Sequence, residues 1–240
     1  MKYQLETIPV WDALEKESEC PLCLLMKDSL EDALDYYLGS SVMNSETRVM
    51  VNGTGFCPEH WEDLIEKRSA QSLALLSHTF LQTTMKEFEI RRKRLKTGRR
   101  FEKELDSLLS FFRKREKGCL ICDRMKSRLD RYTFTVVKLY QEDDDFKEAF
   151  LKSKGLCLHH YQHLLMMAKK VLRPSAFKAF TTDMLDLGKT NLVRLEKEVW
   201  WMTQKYKSEN GDKPWNGCED AQKRVVRKLL GEGRIFSSSR

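Results

Sequence analysis

Apolar residues recur along this chain at the three- and four-residue spacing of amphipathic helices. They nowhere alternate with polar residues long enough to argue for a sheet. One run comprises Leu24, Leu25, Leu30, Ala33, Leu34, Tyr37 and Leu38; another comprises Leu64, Ile65, Leu73, Leu76, Phe80, Leu81 and Met85. Ser45 and Asp144 read as helix caps, and Gly39, Gly98, Gly118, Gly155 and Gly231 as helix ends. A long helix is predicted from Pro58, a residue suited to a first helical turn, towards Leu95. A second starts near Leu158 and is interrupted at Pro174, and a third covers roughly Ser175 to Lys207. Asn210-Gly211-Asp212-Lys213-Pro214 is a loop signal, and a last short helix follows Cys218. The predicted fold class is all-α.

The pattern also repeats. Cys20-Pro21-Leu22-Cys23 and Cys119-Leu120-Ile121-Cys122 have the same spacing, as do Cys57-Pro58-Glu59-His60 and Cys157-Leu158-His159-His160. Gly55 and Gly155 precede the second pair of motifs, and Met26-Lys27 and Leu30 match Met125-Lys126 and Leu129. Each half reads as a two-Cys loop, a helix, a short helix, a Gly turn, then a Cys-x-x-His opening a long helix. An internally duplicated protein of two similar helical units is expected: residues 1–97, then 98–210, with a C-terminal loop and short helix over 211–240.

Cys57 and His60 on the first turn of a helix project the same way, and two thiols three positions apart on a turn reach one ion. Three thiolates and one imidazole form a closed tetrahedral set of the kind that holds structural zinc. Helix N-termini also favour the thiolate form. The expected sites are Cys20, Cys23, Cys57 and His60 in the first half, and Cys119, Cys122, Cys157 and His160 in the second. The match to His60 selects His160 over His159 and His163. Reading the cysteines as small core residues leaves the paired spacing unaccounted for. A dithiol redox centre belongs to a βαβ setting and does not explain the histidines. Zinc, two ions, is the leading cofactor, and an iron–sulfur cluster is the alternative.

Composition agrees with long helices: five prolines and eleven glycines in 240 residues are few, and 33% of residues are charged. No apolar run has the length of a signal peptide or a membrane span, so a cytoplasmic location is expected, where the Asn52-Gly53-Thr54 sequon has no meaning. Cys218, outside the repeat, reads as an ordinary partly buried thiol. The net charge of +7 sits within Lys86–Lys117, which holds thirteen Lys and Arg against six Asp and Glu. Its core, residues 91 to 100, could attract nucleic acid, but flanking Glu87, Glu89, Glu102 and Glu104 favour a solvated helix.

Gly188-Lys189-Thr190 lacks the earlier glycine of a phosphate-binding loop, because Asp183 stands in its place, and it reads as helix surface. No metalloprotease, nucleophile-elbow or dinucleotide motif appears. His78 reads as structural, and Trp200, Trp201 and Tyr206 as core or interface packing.

With the twin motifs, the ending Lys213-Pro214-Trp215-Asn216 followed by Asp220-Ala221 and Arg224 resembles an uncharacterised bacterial family of unknown function, found largely in anaerobic Firmicutes. The resemblance spans nearly the whole chain; the Cys/His pairs are its specific part and the C-terminal match is looser. It implies a bacterial cytoplasmic protein without a known activity, and an anaerobic source would favour an iron–sulfur cluster. The expectation is a metal-binding helical scaffold that meets a protein partner or a second copy of itself. The alternatives are an iron–sulfur or thiol-based sensor and a nucleic-acid-associated protein. No catalytic residue is expected, since closed ligand sets leave no position for substrate.

Overall fold

The computed structural model describes residues 6–98 and 100–232, so of the basic segment Arg99 lies outside the described residues. Among them there are eleven α-helices and no strand, in agreement with the expected all-α class. In chain order they are α1 (Thr7–Glu15), α2 (Pro21–Leu38), α3 (Ser45–Thr54), α4 (Pro58–Glu66), α5 (Ala70–Lys96) and α6 (Phe101–Lys117), followed by α7 (Leu120–Glu142), α8 (Asp144–Lys152), α9 (Leu158–Val171), α10 (Pro174–Lys205) and α11 (Ala221–Leu230).

The caps sit one residue before the expected positions. The Asn44 side chain accepts from the Glu46 N–H at 2.8 Å to start α3, and Asp143 accepts from Phe146 N–H at 3.0 Å to start α8. Pro58 and Pro174 occupy first-turn positions of α4 and α10. The single helix expected from Pro58 towards Leu95 is two helices, α4 and α5. Lys67–Ser69 interrupt it, with Arg68 in the left-handed region at φ 56°. No Gly or Pro marks this break, so the apolar periodicity runs across it unbroken.

The chain divides into two compact units. Unit 1 comprises the described residues up to Asp28 together with those from Ser127 onward, and unit 2 comprises Ser29–Lys126. The divisions therefore fall inside α2 and α7.

In unit 1, α9, α10 and α11 pack on one another and α1 packs on α8. Its core includes Phe146, Phe150, Leu156, Leu164, Met184 and Leu195, all fully buried. Trp11 meets Phe146 edge-on at 5.1 Å, and the Tyr140 hydroxyl donates to Asp183 Oδ2 at 2.6 Å. In unit 2, α5 is the central element, packed against α3, α4 and α6. An aromatic chain runs through it: Tyr37, Phe56, Trp61 and Phe80 make successive ring contacts of 4.9, 5.0 and 5.8 Å. No helix among the described residues is long and apolar enough to cross a membrane.

Candidate metal centres

All eight expected ligands fall into two clusters, but their partners are exchanged. Cys20 and Cys23 meet Cys157 and His160 (centre 1, wholly in unit 1). Cys57 and His60 meet Cys119 and Cys122 (centre 2, wholly in unit 2). The expected grouping of each Cys-x-x-Cys with the next Cys-x-x-His along the chain is thus corrected. The reason lies in α2, whose 18 residues rise about 27 Å. Along this helix the chain passes from unit 1 into unit 2, where its next Cys-x-x-His lies. There the second Cys-x-x-Cys, at the start of α7, completes the set.

Local structure presents the ligands alike in the two centres. Cys57 and Cys157 are the N-cap residues of α4 and α9, so His60 and His160 lie one turn on and face the same way. Cys20 and Cys119 immediately precede α2 and α7, and Cys23 and Cys122 sit in the first turns. The turn before each N-cap needs a glycine. Gly55 and Gly155 have φ of 80° and 70°, and a Cβ at Gly55 would lie 2.7 Å from the Phe80 ring. At Gly155 it would meet the Tyr161 hydroxyl. In unit 2 the two motifs are tied directly, as Leu120 N–H donates to the Gly55 carbonyl at 3.1 Å.

In centre 1 the His160 Nδ1 lies 3.2, 3.5 and 3.3 Å from the sulfurs of Cys20, Cys23 and Cys157, and Cys23 and Cys157 are 3.7 Å apart. In centre 2 the His60 Nδ1 lies 3.1, 3.2 and 3.3 Å from Cys57, Cys119 and Cys122, and Cys57 and Cys122 are 3.7 Å apart. Within each cluster all four ligand atoms lie within 4.8 Å of one another, and seven of the eight residues are buried. Cys122 is the one that is partly exposed. His159 and His163 belong to neither cluster.

The thiols share charge as a ligand set does. In centre 2, hydrogen bonding from Cys122 holds the Cys119 thiol down to about 3, while burial pushes Cys57 up to about 12. In centre 1, hydrogen bonds from Cys20 and Cys23 hold Cys157 far below the usual thiol range. Cys23, bonded to that thiolate, is pushed up to about 12, and Cys20 is raised by burial. Each centre on its own thus favours ionisation of at least one sulfur. Only a multivalent cation would stabilise three thiolates in so small a buried volume, so both sets suit a metal ion.

The surroundings differ. Glu19, next to Cys20, is buried and paired with Arg194 at 2.6 Å, and Arg224 and Lys228 stand 3.8 and 3.7 Å from its carboxylate. The Lys228 Nζ, 1% exposed, donates to the Glu19 carbonyl at 2.7 Å and to the Lys154 carbonyl. Burial lowers its pKa, while Glu19, Cys20 and Cys157 act in the other direction. α10 and α11 therefore buttress centre 1. In centre 2 the position before Cys119 is Gly118, whose missing side chain leaves room for the Thr54 carbonyl, 2.7 Å from where a Cβ would stand. Nothing in the local spacing of the motifs foretold this buttress. Only Arg224, in the C-terminal pattern, stood out beforehand.

The remaining sequence candidates lie elsewhere. Gly188 is inside α10, where a Cβ would meet the Tyr161 side chain at an ordinary van der Waals distance of 3.6 Å. His78 is exposed on α5. Trp200 and Tyr206 are exposed and so are not core, whereas the Trp201 indole donates to the Pro214 carbonyl at 3.2 Å. Cys218 is buried. In the basic segment, Arg91 and Arg92 are bonded to Glu87 and Glu89.

No curated protein and no solved structure matches this chain. The model of a family described as of unknown function, DUF6062, matches residues 1–235. With a match over nearly its entire length, the chain belongs to that family.

Proposed function

We propose that each centre binds one zinc ion and that the protein is a zinc-stapled helical binding or scaffold protein. The observation that carries this is the size of the clusters. Four ligands on one zinc, with Zn–S near 2.3 Å and Zn–N of about 2.0–2.1 Å, have S···S edges of about 3.8 Å and S···N edges of about 3.5 Å. One S···S separation in each centre is 3.7 Å, the six S···N separations run from 3.1 to 3.5 Å, and all four ligand atoms lie within 4.8 Å of one another. A cubane iron–sulfur cluster assigns its ligands to different irons and needs them further apart. Such close ligands favour a single ion.

Three thiolates and an imidazole fill a tetrahedron without leaving a position for substrate, which supports a structural role. His60 and His160 would bind through Nδ1. The metal would fasten each Cys-x-x-Cys to a helix start remote in sequence, so its binding energy would contribute directly to folding. Elemental analysis and an absorbance spectrum of anaerobically purified protein test the reading. A colourless protein with two zinc ions per chain is expected. Stoichiometric iron with thiolate-to-iron absorbance, or a metal-free protein that is folded and takes up no zinc, would overturn it.

A further inference from the structure

The geometry points to a binding site for a small phosphomonoester carrying hydroxyl groups, in a cavity of unit 2 that is separate from the ligands of centre 2. The cavity has a volume of about 350 Å³, within the range of metabolite pockets. It lies among α3, α5 and α6, and its polar lining includes Asn52, Glu87, Arg91, Lys114 and Arg115.

Its charge balance is the first argument. Three cations line it against one carboxylate, Glu87, and that carboxylate is already bonded to Arg91 at 2.5 Å. The two guanidiniums stand on the face of the same ring, Arg91 at 4.5 Å and Arg115 at 5.4 Å from the centre of Phe111. Arg115 also stacks on Phe80 at 4.6 Å and donates to the Asn52 carbonyl at 2.6 Å. Burial lowers the Arg115 pKa and the neighbouring Arg91 adds to this, while Glu87 acts in the other direction. Two part-buried guanidiniums on one aromatic ring form a fork suited to phosphate oxygens. The basic excess of Lys86–Lys117 thus has a structural outlet: α5 and α6 bring part of it around one concavity rather than spreading it along a solvated helix.

The second argument is independent of charge. Two buried polar atoms of lining residues have no hydrogen-bond partner: Arg91 Nε, a donor, and Asn52 Oδ1, an acceptor. Buried polar groups left unmatched are costly, and such orphans mark places where a partner belongs. A fully deprotonated anion such as sulfate would satisfy only the donor. Both atoms are closed to solvent as they stand, and a molecule offering both an anionic oxygen and a hydroxyl would satisfy both once the two side chains turn into the cavity. Thr83, Ser107 and Ser110 add hydroxyls around a sugar-sized body. A long nucleic-acid strand would instead need an open groove continuous with further exposed cations.

The test uses the zinc-loaded full chain and ribose 5-phosphate as probe, with ribose, inorganic phosphate and a single-stranded oligonucleotide as comparisons. Calorimetric titration is paired with nitrogen-15 spectra of the arginine Nε–H groups. Saturable binding of ribose 5-phosphate is expected, with a shift of the Arg91 Nε–H signal and at least about tenfold weaker binding of ribose or phosphate alone. Lys114→Gln, at an exposed position, should weaken binding by roughly tenfold without changing melting temperature or zinc content, and Arg91→Gln by at least as much. Absence of saturable binding overturns the assignment. So does affinity unchanged in the Lys114→Gln protein, or oligonucleotide binding that grows with strand length and exceeds that of ribose 5-phosphate.

Discussion

Centre 1 and centre 2 are assembled from the same motifs on the same local scaffold, yet they differ in what lies behind them. Centre 1 has a buried carboxylate beside its first cysteine, held by two arginines and by a lysine that also caps two backbone carbonyls. Centre 2 has a glycine there and one partly exposed sulfur, Cys122. A zinc bound by three thiolates and a neutral imidazole carries a net negative charge, which a nearby buried ammonium offsets. The lesson is that a ligand set fixes which ion can bind, while the groups behind it set how firmly the ion is kept.

The exchange of partners gives the sharpest way to break this picture. The double variant Cys20→Ser/Cys157→Ser removes two ligands from one centre and should retain one zinc per chain. Cys20→Ser/Cys57→Ser damages both centres and should retain about none. The opposite result would restore the sequential pairing. Because structural zinc contributes on the order of 10 kcal/mol to folding, melting temperatures should fall in the same order as zinc content.

A smaller effect should follow from the buttress. Lys228→Met leaves the Glu19 and Lys154 carbonyls without their donor and should destabilise unit 1 by about 2–4 kcal/mol. It should speed zinc loss from centre 1 while leaving centre 2 unchanged, and chelator competition on single-centre variants would read both rates. Equal acceleration at the two centres would remove the buttress from the comparison.

The glycine turns should matter less. Gly55→Ala and Gly155→Ala each force a side chain into a positive-φ turn and against an aromatic residue, with an expected cost of about 1–3 kcal/mol by thermal unfolding. In the intact protein, chelators should empty centre 2 first, and alkylation should reach Cys122 before any centre 1 thiol.

Acid should weaken both centres. Cys23 and Cys57 are each pushed up to about 12, so they hold protons in the metal-free protein at neutral pH. Zinc displaces those protons, and lowering pH therefore favours the metal-free form. The apparent zinc affinity should fall about tenfold per pH unit for each proton released, which zinc titrations at several pH values would show.

The helices and the eight ligands were legible in the sequence because both depend on local spacing: three-to-four periodicity for one, Cys-x-x-Cys and Cys-x-x-His for the other. Pairing was not legible, because it depends on where an 18-residue helix delivers the chain, a long-range property that no spacing encodes. The break between α4 and α5 escaped for the opposite reason. It rests on one left-handed arginine, Arg68, in a stretch without Gly or Pro, where Ser69 was the sole cap signal. Glu19 and Lys228 lie 209 residues apart, and their contact exists only once α11 has docked.

The exchanged pairing also makes the two linkages nested. The chain closed by Cys119 and His60 is 59 residues long and lies wholly inside the 134-residue segment closed by Cys23 and Cys157. Loop closure costs rise with the logarithm of length, so the inner loop is the easier to form from an open chain. Once it has formed, the path that the outer loop must close is roughly halved, lowering its cost by about 0.6 kcal/mol. The order of assembly would then run inward to outward. The less protected metal ion would be acquired first, and the buttressed one would lock a chain already half tied.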